Sequence, residues 1–345
     1  MSRKSGESSI LRRLAPRKTP RTALLALFAV LIGAVPAAFA TTALLSEQPV
    51  LASSANEMTP AAGWAITNGS PAEWIAYAKS RPTNANAFDA YFGHLNTSTS
   101  PATVDSPTKL NRVGQGYLGG IDFSDTNDPK VVYQGIYRGE SNISIYHVSS
   151  GTRTNPGVNT ARWEWRPTMS GNWLLFNRDA LSKPLQQVML KNLSTGSVTR
   201  LTYTNRDSWT TFAGQVNGNS TVYWAVWTKC AARCNVFVEN LDTKVVTRLA
   251  KPGTEYQYAP SVTSTGTVYL ARGTRACGAN VQFVRYSPAE ITAGSTGTLI
   301  AALAAGRDTF SSFAREDPNS TVSVFYDRVR CSTNRWNVYK LTDGP

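Results

Sequence analysis

The sequence predicts an all-β chain folded as a six-bladed β-propeller of four-stranded antiparallel blades. Three observations predict it. A phrase of alternating apolar residues closing on a turn recurs six times, most clearly at Ile143–Gly151, Val188–Gly196, Val236–Thr243 and Asn337–Gly344. Aligned on Leu95, Val148, Leu193, Leu241, Tyr286 and Leu341, the copies lie 53, 45, 48, 45 and 55 residues apart, a period that in all-strand sequence signals propeller blades. Finally, the last copy stops at Pro345 immediately after its third strand, while a spare strand-like segment, Gln48–Ala52, stands near the other end.

The first 40 residues form a basic leader. Seven of the 35 Lys and Arg residues and one of the 22 acids fall there, so the remainder carries a net charge of +7 rather than +13. An uncharged stretch over 22–40 closes on Ala38-Phe39-Ala40, the small-residue pattern of an export signal. The alternative is a retained membrane anchor over residues 22–45, since about 20 apolar residues span a bilayer. Either way the rest of the chain is expected outside the cytoplasm. Residues 41–61 are read as an N-terminal segment carrying the spare strand, and 62–345 as the propeller. The spare strand is expected to complete blade six, because an open ring leaves an unpaired edge.

Within each blade the strands are named a to d from the channel outwards. Blade one is the least regular, since Ser70-Pro71-Ala72-Glu73 before Trp74–Lys79 fits a helix start. Alignment with the second strands of the other blades assigns it as strand. Blade two covers about Leu110–Val158 and blade five about Glu255–Leu303. Blade three shows the full set: a near Trp163–Thr168, b at Trp173–Phe176, c at Gln187–Leu193 and d at Ser197–Leu201. Blade four repeats it from Phe212 to Leu249. β-branched and aromatic runs parted by Gly, Asn, Asp and Ser turns suit strands.

Four cysteines follow the leader, all in b–c hairpins. Outside the cytoplasm an even set is read as disulfides. Cys230 and Cys234 flank a three-residue loop and are expected to close their own hairpin; Cys277 and Cys331 occupy matching hairpins of neighbouring blades and are expected to join blade five to blade six. No metal site and no cofactor is expected. The two histidines, His94 and His147, sit in strands of different blades. Asp122, Asp125, Asn127 and Asp128 crowd one turn without calcium-loop spacing and read as an ordinary acidic turn. Gly114-Gln115-Gly116-Tyr117-Leu118-Gly119 matches a dinucleotide fingerprint by letters alone, but it leads into strand where that motif needs a helix.

The period, the four-strand unit and the closing turns resemble the TolB-like six-bladed propellers built from WD40-like (PD40) repeats, over roughly residues 48–345. The a–b turns, Thr168–Asn172, Asn217–Ser220 and Thr263–Gly266, keep turn chemistry but lack that family's Ser-Pro-Asp-Gly signature. The resemblance implies the fold and a binding or scaffold role, and it transfers no catalytic residue.

Two repeated features are candidates for function. The b–c hairpins carry Lys79 and Arg81, Arg138, Arg178, Lys229 and Arg233, Arg272 and Arg275, Arg328 and Arg330. In a propeller they share one face, so they form either a cationic ring around one mouth or a solvated rim. An aromatic residue stands near the start of strand a in every blade: Trp64, Tyr117, Trp165, Phe212, Tyr258 and Phe313. These fill the wedge between blades or stack on sugar rings. The upstream Trp163 and Trp209, beside Arg162 and Arg206, are the better ligand candidates. The ligand set expected from sequence is thus Arg138, Arg178, Lys229, Arg272, Arg328, Trp163 and Trp209. The function expected is that of a secreted, monomeric, non-catalytic propeller recognising an anionic or carbohydrate polymer, or a protein, of the cell envelope. Nucleic acid is not an expected partner, and a membrane enters only if the anchor is retained. The alternative is a polysaccharide lyase or glycosidase using two of Glu164, Asp207, Glu255 and Asp308, which lie in the loops leading into strand a. No Gly-x-Ser-x-Gly elbow is present for a serine hydrolase.

Overall fold

A computed structural model describes residues 44–67, 70–124, 128–179, 186–202, 210–219, 221–274 and 281–344. The leader, Cys277, Asp207 and Trp209 lie outside the described residues, as do Asp125, Asn127, Arg206 and Arg275.

Six antiparallel blades form the ring. Strand β1 (Gln48–Leu51) precedes them. Blade one comprises β2 (Glu57–Thr67), β3 (Ser70–Arg81), β4 (Asn84–Asn96) and β5 (Thr103–Lys109). Blade two comprises β6 (Gln115–Asp122), β7 (Lys130–Tyr137), β8 (Glu140–His147) and β9 (Arg153–Thr154). Blade three comprises β10 (Glu164–Ser170), β11 (Trp173–Asp179), β12 (Gln186–Asn192) and β13 (Val198–Arg200). Blade four comprises β14 (Thr210–Gly218), β15 (Tyr223–Cys230), β16 (Cys234–Asn240) and β17 (Val245–Arg248). Blade five comprises β18 (Tyr256–Val262), β19 (Val268–Gly273), β20 (Gln282–Tyr286) and β21 (Thr298–Ala302). In blade six the inner strand is split into β22 (Arg307–Asp308) and β23 (Ser312–Glu316), followed by β24 (Val322–Arg330) and β25 (Arg335–Asp343).

The missing outer strand of blade six is β1, which pairs antiparallel with β25, placing Gln48 opposite Lys340 and Leu51 opposite Val338. Val50 and Leu51 are buried with Phe325 and Val338 of blade six and Ile75 of blade one. The strand that supplies the last ladder therefore also fills the wedge where the ring closes. Glu47, just before it, accepts hydrogen bonds from Tyr326 Oη at 2.5 Å and Arg328 Nη1 at 2.7 Å.

The core is distributed rather than central. Among the described residues, six hydrophobic clusters lie one at each junction between neighbouring blades. The alternation of each strand explains this, since both faces of a blade meet another blade and the two sets of alternating side chains are both buried.

One element departs from the all-strand expectation. A short helix, α1 (Pro288–Ala293), links β20 to β21. Ser287 accepts from the backbone N–H of Glu290, whose carboxylate accepts from Ser287 N in return at 2.8 Å, a reciprocal cap. The Cys230–Cys234 disulfide closes its own hairpin, and Cys331 is also disulfide-bonded.

Candidate functional site

The loops that lead into the inner strands and the b–c hairpins share one face, called here the hairpin face. The a–b turns lie on the opposite, turn face. Between them the channel is narrowed by a repeated device. Every inner strand of blades one to five is bulged at the same level, between Met58 and Ala61, Leu118 and Gly120, Trp165 and Thr168, Ala213 and Val216, and Tyr258 and Ser261. Blades one, three and five place proline there, after Thr59, Arg166 and Ala259, whose φ values are 47°, 48° and 48°. An innermost strand has one free edge, which is where proline is tolerated. Blades two and four place glycine, for a different reason. A Cβ at Gly119 would sit 1.7 Å from the carbonyl oxygen of Pro167, and one at Gly214 would sit 2.6 Å from that of Pro260. Each glycine thus admits the proline carbonyl of the next blade. The cavity left between these bulges is only about 60 Å³.

Above the constriction, on the hairpin face, a pocket of about 360 Å³ opens among blades three to six. Phe212, Tyr256, Tyr258 and Phe310 wall it, together with the Cys230–Cys234 disulfide. Arg166 lines both this pocket and the constriction. Its guanidinium lies 5.6 Å from the ring centre of Trp165 and 5.1 Å from that of Phe212, within cation–π range. Its Nη2 is 3.5 Å from the carbonyl oxygen of Phe310. Burial pushes its pKa down, with the charge of Asp327 acting in the opposite sense. Asp327 itself is occupied by backbone donors: Phe310 N at 2.8 Å, Ser311 N at 3.0 Å and Thr59 N at 3.2 Å. It holds the break between β22 and β23 in place.

The hairpin cations meet carboxylates in most blades. Lys79 lies 3.6 Å from Glu57, Arg81 2.7 Å from Asp89, Arg178 2.9 Å from Glu164, Arg272 2.8 Å from Glu255 and Arg328 2.7 Å from Glu47. Two of these clasps repeat a local motif. Ser53 Oγ donates to Glu57 at 2.7 Å, and Thr160 Oγ1 donates to Glu164 at 2.7 Å. A hydroxyl four residues upstream thus fixes the carboxylate that takes the cross-strand cation. Arg138 is exposed, its guanidinium 5.1 Å from the ring centre of Tyr137. Lys229 stands opposite Thr211 and Asn235. In blade six Arg307 is directly opposite Arg330, and Arg330 opposite Arg335. Burial and the charges of Arg330 and Arg328 all lower the pKa of Arg307. Arg307 and Arg330 have no carboxylate partner among the described residues.

The aromatic residues divide. Phe313 is buried, Trp165 meets Phe212 edge-on at 5.9 Å, and Tyr258 donates to Asp308 at 2.8 Å. Trp163 is 42% exposed, its indole N–H bonded to Gly139 O at 2.8 Å, and Phe310 is 40% exposed beside Trp336. Three of the four carboxylates that a hydrolase would use lie among the described residues, and each is engaged locally. Glu164, fully buried, is held by Arg178 and Thr160; Glu255 pairs with Arg272; Asp308 accepts from Tyr258 and Thr309 N. On the turn face a second pocket, of about 280 Å³, contains Asp122 and Glu316. Each caps the a–b turn of another blade, Asp122 through Gly171 N at 3.1 Å and Glu316 through Ser264 N at 2.6 Å. Among the described residues no group of three His, Cys, Asp or Glu is placed to hold a metal ion.

Arg166 escaped the sequence reading. It lies in an inner strand rather than a hairpin, and its signal is an arginine immediately before the proline of an aromatic-x-Pro bulge that recurs at Tyr258-Ala259-Pro260.

The fold and this pocket define a six-bladed β-propeller of TolB-like architecture with a ligand-sized recess on its hairpin face. No protein-family model matches the chain, and a comparison with curated proteins finds no match. Among solved structures it is similar to a putative TolB from Agrobacterium tumefaciens, with 12% identity and a TM-score of 0.55 over 87% of this chain and 97% of that one. It is similar also to a protein of unknown function from Dyadobacter fermentans, with 10% identity and a TM-score of 0.56 over 87% and 98%. A subtype N10 neuraminidase-like protein of the strain A/little yellow-shouldered bat/Guatemala aligns at 8% identity and a TM-score of 0.50 over 86% and 98%. At these identities the likeness is one of fold.

Proposed function

We propose that this chain is an exported, monomeric, non-catalytic binding propeller whose hairpin face takes an anionic or carbohydrate partner of the cell envelope. The observation that carries the reading is the distribution of cations that have no carboxylate partner among the described residues: Arg166 in an aromatic pocket, and Arg307 and Arg330 side by side at the rim of the same face. Like charges directly opposed across strands are unfavourable on their own, and an anionic partner relieves them. The aromatic walls suit the face of a sugar ring. Export is supported by the basic leader with its small-residue boundary and by the disulfides. Among the described residues no helix is long and apolar enough to cross a membrane. The local engagement of Glu164, Glu255 and Asp308 favours binding over hydrolysis.

The test is retention of the purified protein on cell-wall polymers at low and high salt. The expected result is retention at low salt that falls steeply as salt rises, because exposed cations are screened beyond about 8 Å at physiological ionic strength. Retention indifferent to salt, or none, removes the reading.

A further inference from the structure

Arginines drawn away from water are ordinarily matched by carboxylates, and this ring follows the rule at Arg178, Arg272 and Arg315. Arg166, half-buried at the wall of the pocket, departs from it. Among the described residues no carboxylate lies within ion-pair range of its guanidinium, which meets one carbonyl at 3.5 Å and two aromatic rings. The nearest acid influence, Asp327, is committed to the backbone of Thr59, Phe310 and Ser311. A second unfinished group adjoins it. Thr228, directly opposite Phe212 in the ladder, lines the same pocket and has a buried hydroxyl with no hydrogen-bond partner. The pocket's volume of about 360 Å³ falls at the lower end of the range for small-molecule sites, about 300–1,000 Å³. One cation facing an aromatic enclosure balances one negative charge, so a dianion would be left partly uncompensated away from water.

We propose that this pocket binds a small aromatic carboxylate. The carboxylate pairs with Arg166, whose planar fork matches its two oxygens, and the ring stands between Phe212, Tyr256, Tyr258 and Phe310. Thr228 supplies a further hydroxyl at the same wall. The proposal deepens the binding role assigned to the hairpin face and rests on it, in that the free end of a larger envelope ligand would enter here.

The experiment is titration of the purified protein with 3-phenylpropionate and with the neutral 3-phenylpropanamide, followed by calorimetry and ligand-detected saturation-transfer NMR. The acid is expected to bind at least tenfold more tightly than the amide. Arg166→Gln abolishes that preference, and Phe310→Ala, at an exposed wall position, weakens both compounds severalfold. Equal affinity for acid and amide, or an acid preference that survives Arg166→Gln, overturns the proposal. If Arg166→Gln does not fold, unchanged acid affinity in Phe310→Ala overturns it instead. Failure of the acid to bind, with polymer retention at low salt intact, overturns the pocket assignment alone. Acid binding without polymer retention removes the polymer reading and leaves the pocket.

Discussion

Closure of the ring by β1 makes a quantitative claim. Val50 and Leu51 are 4% and 6% exposed and sit in the wedge between blades six and one. Truncating Val50 to alanine removes two buried methyl groups, about 1.6 kcal/mol at ~0.8 each, and Leu51→Ala adds about 2–4 kcal/mol. The double variant is therefore expected to lose about 4–6 kcal/mol. Unfolding entropy near 2.1 cal/mol/K per residue gives roughly 0.6 kcal/mol/K for a unit of about 300 residues, so the melting temperature falls by about 6–9 °C. A chain starting at Ser53 loses more, because Arg328 and the Tyr326 hydroxyl also lose Glu47 and β25 becomes an open edge. Its expected loss approaches the whole stability of an ordinary domain, about 5–15 kcal/mol. Differential scanning calorimetry of the three proteins provides the measurement. A double variant melting within 2 °C of the parent refutes the closure argument.

Single contacts carry further expected outcomes. Burial pushes the carboxyl of Asp89 up, but Arg81, Asn111 and Lys109 outweigh it and hold its pKa at about 2 against an ordinary 3.8. That difference is worth about 2 kcal/mol, fully present above pH 4 and lost as pH falls through 2, so the stability gap between the parent and Asp89→Asn in urea titrations should close over that interval and stay constant from pH 5 to 7. Gly119→Ala drives a Cβ into the Pro167 carbonyl and should cost at least about 1–3 kcal/mol, whereas Gly135→Ala in the same blade, with its nearest neighbour 3.9 Å away, should melt within 2 °C of the parent. Arg178→Met strands the buried carboxylate of Glu164 and should cost about 3–5 kcal/mol, most of it recovered by adding Glu164→Gln; Arg330→Gln removes the like-charge opposition to Arg307 and Arg335, so it should raise stability by up to about 1 kcal/mol while reducing polymer retention.

Blade number, strand order and the borrowed last strand were legible because they depend on period and on the need to pair an edge, both properties of the chain itself. Local helix signals were not decisive. Ser-Pro-Ala-Glu occurs twice: at 287–290 it caps α1, and at 70–73 it opens strand β3. The residues downstream of the motif decide between the two outcomes. Trp74–Ala78 continues as an apolar run that the blade-one wedge buries at Ile75 and Tyr77, while Ile291-Thr292-Ala293 runs into Gly294, a left-handed helix stop with φ 66°. The hairpin cations were visible as residue types, but not the partners that most of them find. Those are set by cross-strand register, which places Glu57 opposite Lys79 and Glu164 opposite Arg178. Arg166 was hidden for the converse reason: its isolation depends on which acids the fold commits elsewhere, and Asp327 is committed to the loop at Phe310, three blades further along the chain.

The position of the pocket follows from where the ring's symmetry fails. In blades one to five a single bulge carries each inner strand through the constriction, with proline and glycine alternating so that each glycine makes room for the next proline carbonyl. Blade six has neither residue at that level. Its inner strand breaks at Thr309–Ser311, and Asp327 replaces the missing ladder bonds by gathering the N–H groups of Phe310 and Ser311. The break leaves the ring of Phe310 on the hairpin face, beside Trp336, while its carbonyl meets Arg166 across the channel mouth. The same irregularity thus supplies one aromatic wall of the pocket and the weak, uncharged contact that leaves the arginine available. A symmetric sixth bulge would have continued the constriction, so the recess is off-centre, among blades three to six, because the chain gives up regular pairing at that one strand.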